Sequence, residues 1–225
     1  RLAAGPSKPT IAVAYDDAFC GYFADMLEFL ERHGAKVVDF SPLADEALPE
    51  RTDVVLLGCG RPDVHAEALA ANHCMKSSLR AFARHGGRIY AEGGGLAYLG
   101  RTLRSIDGAS YPMTNLFPTA AARRDAPTAP EPVEFAIDAE NWLLPVGEPL
   151  RAYRSRHWNF DVLEASADLI AGASLLAGTA DEPDLLRAGN VLAGRLQLHL
   201  SAQPSLVRGF FAPLAAAPHQ AVAVG

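Results

Sequence analysis

The sequence predicts an α/β domain of three layers, a mostly parallel sheet with helices on both faces. Short apolar runs and amphipathic stretches alternate at least four times between residues 11 and 100, the pattern of a parallel sheet joined by crossover helices. The chain has 225 residues, 49% of them hydrophobic, enough to bury the core such a domain needs. Glycine-rich segments follow two of the apolar runs, and ligands of open α/β sheets sit outside the carboxyl ends of the strands.

Each element has its own reason. Residues 11–15, Ile-Ala-Val-Ala-Tyr, are an apolar run of strand length. Asp16 and Asp17 follow as helix N-cap candidates, and Phe19, Tyr22, Phe23, Met26, Leu27 and Leu30 recur at helical spacing up to Gly34, a C-cap. Residues 36–40 predict a second strand, closed by Ser41 and Pro42. Residues 53–57 predict a third, which runs into Gly58-Cys59-Gly60. One helix is expected over 64–85, broken by Gly86 and Gly87. Residues 88–91 form a fourth strand, and Gly93-Gly94-Gly95 leads into a helical stretch at 96–100. Residues 123–149 carry many prolines and little periodicity, so they read as a loop-rich connection with one strand at 133–137. Residues 150–154 and 191–200 are strand-like, and alternation in the second places Gln197 and His199 on one face. A short helix at 205–214 and an Ala/Pro tail complete the chain. Residues 1–10 read as a linker, so the domain is assigned to 11–225.

Composition excludes several functions. The net charge of -6 gives no electrostatic footprint for nucleic acid, and no run of eighteen apolar residues exists to cross a membrane. Three cysteines, Cys20, Cys59 and Cys74, form neither a disulfide framework nor a C-x-x-C pair, and a cytoplasmic location is expected. Asp63, His65 and His73 lie close in sequence, but the eight-residue interval between the histidines does not suit chelation, so no metal is expected.

Five segments in order, 11–19, 40–49, 62–72, 89–99 and 189–193, resemble the C-terminal class I glutamine amidotransferase-like domain of the cobyrinic acid a,c-diamide synthase family. The resemblance covers most of residues 11–211 and is weakest at 120–175. It implies a flavodoxin-like sheet. It also implies a partner, an ATP-dependent amidoligase domain or subunit that activates carboxylates of a corrin or related tetrapyrrole. ATP and Mg belong to that partner, and no cofactor is expected on this domain.

The resemblance also locates what is missing. Glutamine hydrolysis requires a thiolate on a strand-to-helix elbow, a histidine base and backbone donors for the oxyanion. The family's elbow reads Ala-Glu-Cys-Gly-Gly-Leu, whereas here Glu92 is followed by Gly93, which cannot form a thioester. The family's closing strand resembles Ser-Tyr-Leu-His-Leu-His-Phe. Gln197 stands at its first histidine and cannot act as a base, while His199 keeps the second. The oxyanion loop, Gly-Gly-Gly in the family, is Gly58-Cys59-Gly60. Cys59 reads either as a displaced nucleophile or as a small, partly buried residue.

One local feature is independent of those losses. Residues 151–160 concentrate Arg151, Arg154, Arg156 and His157 beside Tyr153 and Trp158 in an acidic chain. If the stretch is extended, Arg154, Arg156 and Trp158 share one face, suited to a carboxylate-fringed macrocycle, a phosphate or an acidic partner. A solvated basic edge strand is the plainer reading. Two functions therefore compete: a glutaminase-inactive partner or ligand-positioning domain of an ATP-dependent amidase, and a non-catalytic module that recruits a protein partner or anionic ligand. Oligomerisation stays open.

Overall fold

The computed structural model of the chain describes residues 8–126, 129–163, 174–178, 183–203 and 206–212. In chain order the first half holds β1 (Thr10–Ala14), β2 (Phe19–Gly21), α1 (Ala24–Arg32), β3 (Lys36–Phe40), β4 (Val54–Leu57), β5 (Cys59–Gly60), α2 (Ala66–Ala71), α3 (His73–Arg84), β6 (Arg88–Glu92) and α4 (Gly94–Leu99). The second half holds β7 (Thr102–Arg104), β8 (Ser110–Pro112), β9 (Thr119–Arg123), β10 (Glu131–Phe135), β11 (Leu150–Arg154), β12 (Trp158–Val162), β13 (Ser174–Gly178), β14 (Pro183–Ala188), β15 (Val191–Gly194), β16 (Leu196–Leu198) and α5 (Val207–Phe211).

Seven strands form the main sheet in the order β13-β14-β15-β6-β4-β1-β3. The five from β15 to β3 are parallel, and β14 and β13 extend one edge antiparallel. Alternation divides each central strand between two cores. Ala12, Ala14, Val55, Leu57, Ile89 and Ala91 face one core with Leu69, Leu79 and Leu96. Ile11, Val13, Val54, Leu56 and Tyr90 face the other with Met26, Leu30 and Phe210. Both faces are covered, which is why these strands read as continuous apolar runs rather than alternating ones. The predicted class, α/β with a large, mostly parallel sheet, is the observed one.

Several expected elements move. The first helix begins at Ala24 rather than at Asp16, because Phe19–Gly21 is a strand paired with β5. Phe19 is buried against Tyr98 instead of extending a helical stripe. Asp16 organises loops: its carboxylate accepts the N–H of Ala18 (2.9 Å) and of Leu43 (3.0 Å) and the Ser41 hydroxyl (2.8 Å). The expected helix over 64–85 is two helices, broken at Asn72. Its side chain accepts the Met75 N–H and donates to the carbonyls of Pro42 and Asp45, so local and long-range hydrogen bonds displace the helical backbone there. The expected strand at 191–200 is also two, β15 in the main sheet and β16 against β11, with the chain turning at Arg195. In the proline-rich connection the strand is Glu131–Phe135 rather than 133–137. The last helix is confined to Val207–Phe211 among the described residues, and the Ala/Pro tail lies outside them.

The stretch 151–160 is not one strand. β11 belongs to a three-stranded sheet, β10-β11-β16, and β12 to a four-stranded sheet, β12-β9-β7-β8. The turn between them removes the shared face expected for Arg154, Arg156 and Trp158. No helix among the described residues is long and apolar enough to cross a membrane.

Candidate functional site

The elbow is intact as a shape. β6 ends at Glu92, Gly93 adopts φ +52° and ψ -103°, and α4 starts at Gly94. Side chains other than glycine are strained at this positive φ. The Gly93 N–H donates to the Gly194 carbonyl at 2.8 Å, which ties the elbow to β15. Gly95 lets α4 press onto β4: a Cβ there would lie 2.2 Å from the Leu57 carbonyl oxygen.

The space above Gly93 is occupied by Cys59. A Cβ on residue 93 would lie 2.9 Å from Cys59 Sγ, 3.7 Å from Trp158 Nε1 and 3.8 Å from Trp158 Cδ1. β5, paired with β2, swings the Cys59 side chain over the elbow. Gln197 Nε2 donates to Cys59 Sγ at 2.8 Å, and the Gly94 N–H is also directed at that sulfur. The backbone N–H that follows an elbow position is the usual oxyanion donor at such turns. Here it faces a thiol of the protein itself. Burial, with the Glu92 carboxyl nearby, pushes the thiol well above the ordinary cysteine range, and the Gln197 and Gly94 bonds offset this only in part. Cys59 is therefore a thiol, not a thiolate, at neutral pH.

Glu92 lies beneath the elbow and is buried. Its Oε1 accepts the Tyr90 hydroxyl at 2.8 Å and the Leu198 N–H at 2.9 Å. Burial raises its carboxyl to about 7 against the pull of those two donors. Tyr22 buttresses the neighbouring loop. Its hydroxyl donates to the Ala14 carbonyl at 2.6 Å and accepts the Gly58 N–H at 2.9 Å. Gly60 lies against the Ala18 carbonyl on the other side of Cys59.

Gln197 and His199 diverge in what they contact. Gln197 reaches Cys59, while His199 Nε2 lies 3.3 Å from Asp25 Oδ1, with Ser201 Oγ 3.3 Å from its Nδ1 and the Phe23 ring edge-on at 4.6 Å. His199 lines a cavity of ≈ 640 Å³ with Phe23, Val133, Tyr153 and Gln203, on the side of α1 and β11.

The basic segment is taken up largely by internal partners. Arg154 makes a two-pronged bond to Asp184 at 2.9 and 2.7 Å, and Glu131 lies 3.5 Å from it. Arg156 donates to Glu131 at 2.5 Å. His157 Nδ1 lies 3.2 Å from Ser155 Oγ, and burial beside Arg123 holds its imidazole below the ordinary value. Trp158 is buried and forms a wall of the elbow. The candidates Arg154, Arg156, His157 and Trp158 are thus not brought together as one open face.

Sequence reasoning passed over a second arginine group. Arg61, Arg104, Arg123 and Arg124 line a cleft of ≈ 510 Å³ on the four-stranded sheet. Their separation in the chain hid them; only the pairing of β7 with β9 and the return of the β5 loop bring them together. Among the described residues no three His, Cys, Asp or Glu side chains are grouped to hold a metal.

Residues 10–132 match the CobB/CobQ-like glutamine amidotransferase domain. Cobyrinate a,c-diamide synthase of Synechocystis sp. is 34% identical over 200 residues, which covers 89% of this chain and 41% of that protein. The enzyme of the same name from Salmonella typhimurium is 33% identical over 207 residues, covering 90% and 44%. The chain thus spans less than half the length of these curated relatives. Among solved structures, a glutamine amidotransferase superposes with a TM-score of 0.61 at 19% identity, covering 89% of this chain and 96% of that one. A structure of PurLQS from Thermotoga maritima superposes with 0.62 at 14%, covering 91% and 96%. At such identities the superpositions speak for the fold alone.

Proposed function

From the premise that this chain belongs to the CobB/CobQ-like glutamine amidotransferase domain family, we propose that it does not hydrolyse glutamine and acts as the partner or ligand-positioning domain of an ATP-dependent amidase in tetrapyrrole chemistry. The observation that carries this is the Cys59 sulfur, which lies 2.9 Å from the place of a Cβ on residue 93 and is held by Gln197 at 2.8 Å. Acyl transfer from glutamine needs a nucleophile that can lose its proton, a base to take it and a free oxyanion donor. At this site the elbow residue has no side chain, the residue facing the sulfur is an amide that does not titrate near neutral pH, and the Gly94 N–H is directed at sulfur. An amidase served by such a domain takes free ammonia. ATP and Mg are bound by the amidoligase partner.

The test combines this chain with an ATP-dependent amidoligase partner and supplies either ammonium or glutamine. Ammonium should support amidation, and glutamine should release no glutamate above background. Glutamate release that disappears in Cys59→Ser overturns the reading and makes Cys59 a displaced nucleophile.

A second reading is a non-catalytic module that recruits a protein partner or an anionic ligand. The arginine-lined cleft favours it, since it gathers cations in a chain of net charge -6.

A further inference from the structure

The cleft on the four-stranded sheet places four arginines against two aspartates, Asp63 and Asp125. Arg61 is locked in place, with Nε 3.0 Å from Asp63 Oδ1 and one terminal nitrogen 2.8 Å from Oδ2. Asp63 is fully buried, so this pair orients the guanidinium while leaving it further donors. Arg124 is fixed by its Nε bond to the Trp158 carbonyl at 3.3 Å. Arg123 lies over the Trp158 ring, 5.7 Å from its centroid. Neither Arg104 nor Arg123 has a side-chain hydrogen bond or ion pair among the described residues. Burial and the proximity of Arg61 depress the Arg123 guanidinium, with Asp63 opposing, as expected where cations outnumber the carboxylates that face them. The trough continues into a cleft of ≈ 300 Å³ that shares Arg104, Arg124 and Asn159 and adds Arg195.

We propose that the trough lined by Arg61, Arg104, Arg123 and Arg124 is a binding site for a small ligand carrying two or more oxyanion groups. Two of its guanidiniums are held by internal partners, and two have no hydrogen-bond or ion-pair partner among the described residues, an arrangement that suits bidentate recognition of phosphate or carboxylate oxygens. A neutral ligand leaves the like-charge repulsion unrelieved, and nucleic acid finds no extended basic surface on an acidic chain. The site deepens the second functional reading and does not depend on whether Cys59 is catalytic, so a glutaminase assay and the experiment below fail separately.

Pyrophosphate and citrate, separately, are titrated calorimetrically into the 225-residue chain at low ionic strength. Saturable one-to-one binding of either, weakened by added salt, is expected. Preference for pyrophosphate assigns phosphate chemistry, and preference for citrate assigns carboxylate chemistry. Arg104→Gln and Arg123→Gln should each weaken binding by roughly tenfold, while Arg84→Gln, which removes the same charge elsewhere, should leave it unchanged. Circular dichroism and thermal melts check that each variant is folded. If Arg123→Gln does not fold, because the Trp158 contact is lost, Arg104→Gln alone decides. Absence of binding to both anions, or equal binding by wild type and Arg104→Gln, overturns the proposal.

Discussion

Cys59 and Gly93 contend for one volume: the Cys59 sulfur stands 2.9 Å from the point at which a β-carbon on residue 93 would be placed. Relative to the family's pattern, a thiol is absent from the elbow and present on the adjoining loop. The two departures are complementary in space although 34 positions apart in sequence.

Restoring the elbow thiol alone should not restore hydrolysis. In Gly93→Cys the new Cβ would stand about 3 Å from the Cys59 sulfur, the separation found across a disulfide whose S–S bond is about 2.05 Å. We expect loss of two titratable thiols on mild oxidation, and no labelling by a glutamine-directed electrophile such as diazo-oxonorleucine. Only the triple variant Cys59→Gly, Gly93→Cys, Gln197→His should label, because catalytic groups act as a unit. Rapid labelling of Gly93→Cys by itself shows that another residue serves as base.

The Cys59 thiol should be slow to alkylate. Its burial and the nearby Glu92 carboxyl favour the protonated form, whereas Cys20 and Cys74 are exposed. Iodoacetamide at pH 8, followed by peptide mass spectrometry, should modify Cys20 and Cys74 at least ten times faster. Cys59 reacting first contradicts the assigned protonation state.

Stability should fall as pH rises through neutrality, and Glu92 should be a main cause. Its carboxyl is raised from 4.5 to about 7 in the folded protein, so the folded state holds a proton that the unfolded chain releases. That contribution is fully present below pH 4.5, declines above it and is lost as pH rises through about 7. Its size is roughly 3 kcal/mol, from about 1.4 kcal/mol per pKa unit. Glu92→Gln keeps an oxygen acceptor for Tyr90 and Leu198 and cannot ionise. Urea unfolding from pH 5 to pH 8 should show a flatter profile for the variant, which gains on wild type at pH 8. Parallel profiles count against this account.

Asp184→Asn should destabilise the fold. Asp184 is buried and holds both Arg154 at 2.7 Å and the buried Arg195 at 3.2 Å, joining β11 to β14 at the turn between β15 and β16. Removing one partner of a buried ionic cluster typically costs about 3–5 kcal/mol. Urea midpoints measure it. A change below about 1 kcal/mol implies that the remaining partners of Arg195 suffice.

Much of the parallel sheet was legible because a strand buried on both faces is apolar along most of its length, as at residues 11–14, 54–57 and 89–91. The small sheets were not. β10 exposes Glu131, Pro132 and Glu134, and β12 exposes Asn159, Asp161 and Val162, so neither carries a long apolar run. Asp16 and Asp17 read as helix caps because the same short carboxylates serve loops and caps alike. Only the pairing of β2 with β5 made Asp16 a loop residue.

Residue order alone was enough for the α/β class, the strand-to-helix elbow, and the absence of a side chain at Gly93 and of a titrating group at Gln197. The first two follow from residue type and short-range spacing; the resemblance to the family is what marks Gly93 and Gln197 as the positions of a nucleophile and a base. The folded arrangement was needed to see that the Cys59 thiol fills the vacated elbow, that Arg154 and Arg156 are held by Asp184 and Glu131, and that Arg61, Arg104 and Arg123 share a cleft. Each of those outcomes depends on pairings between strands distant in the chain, and no local pattern records which side chains such pairings bring within a few ångströms.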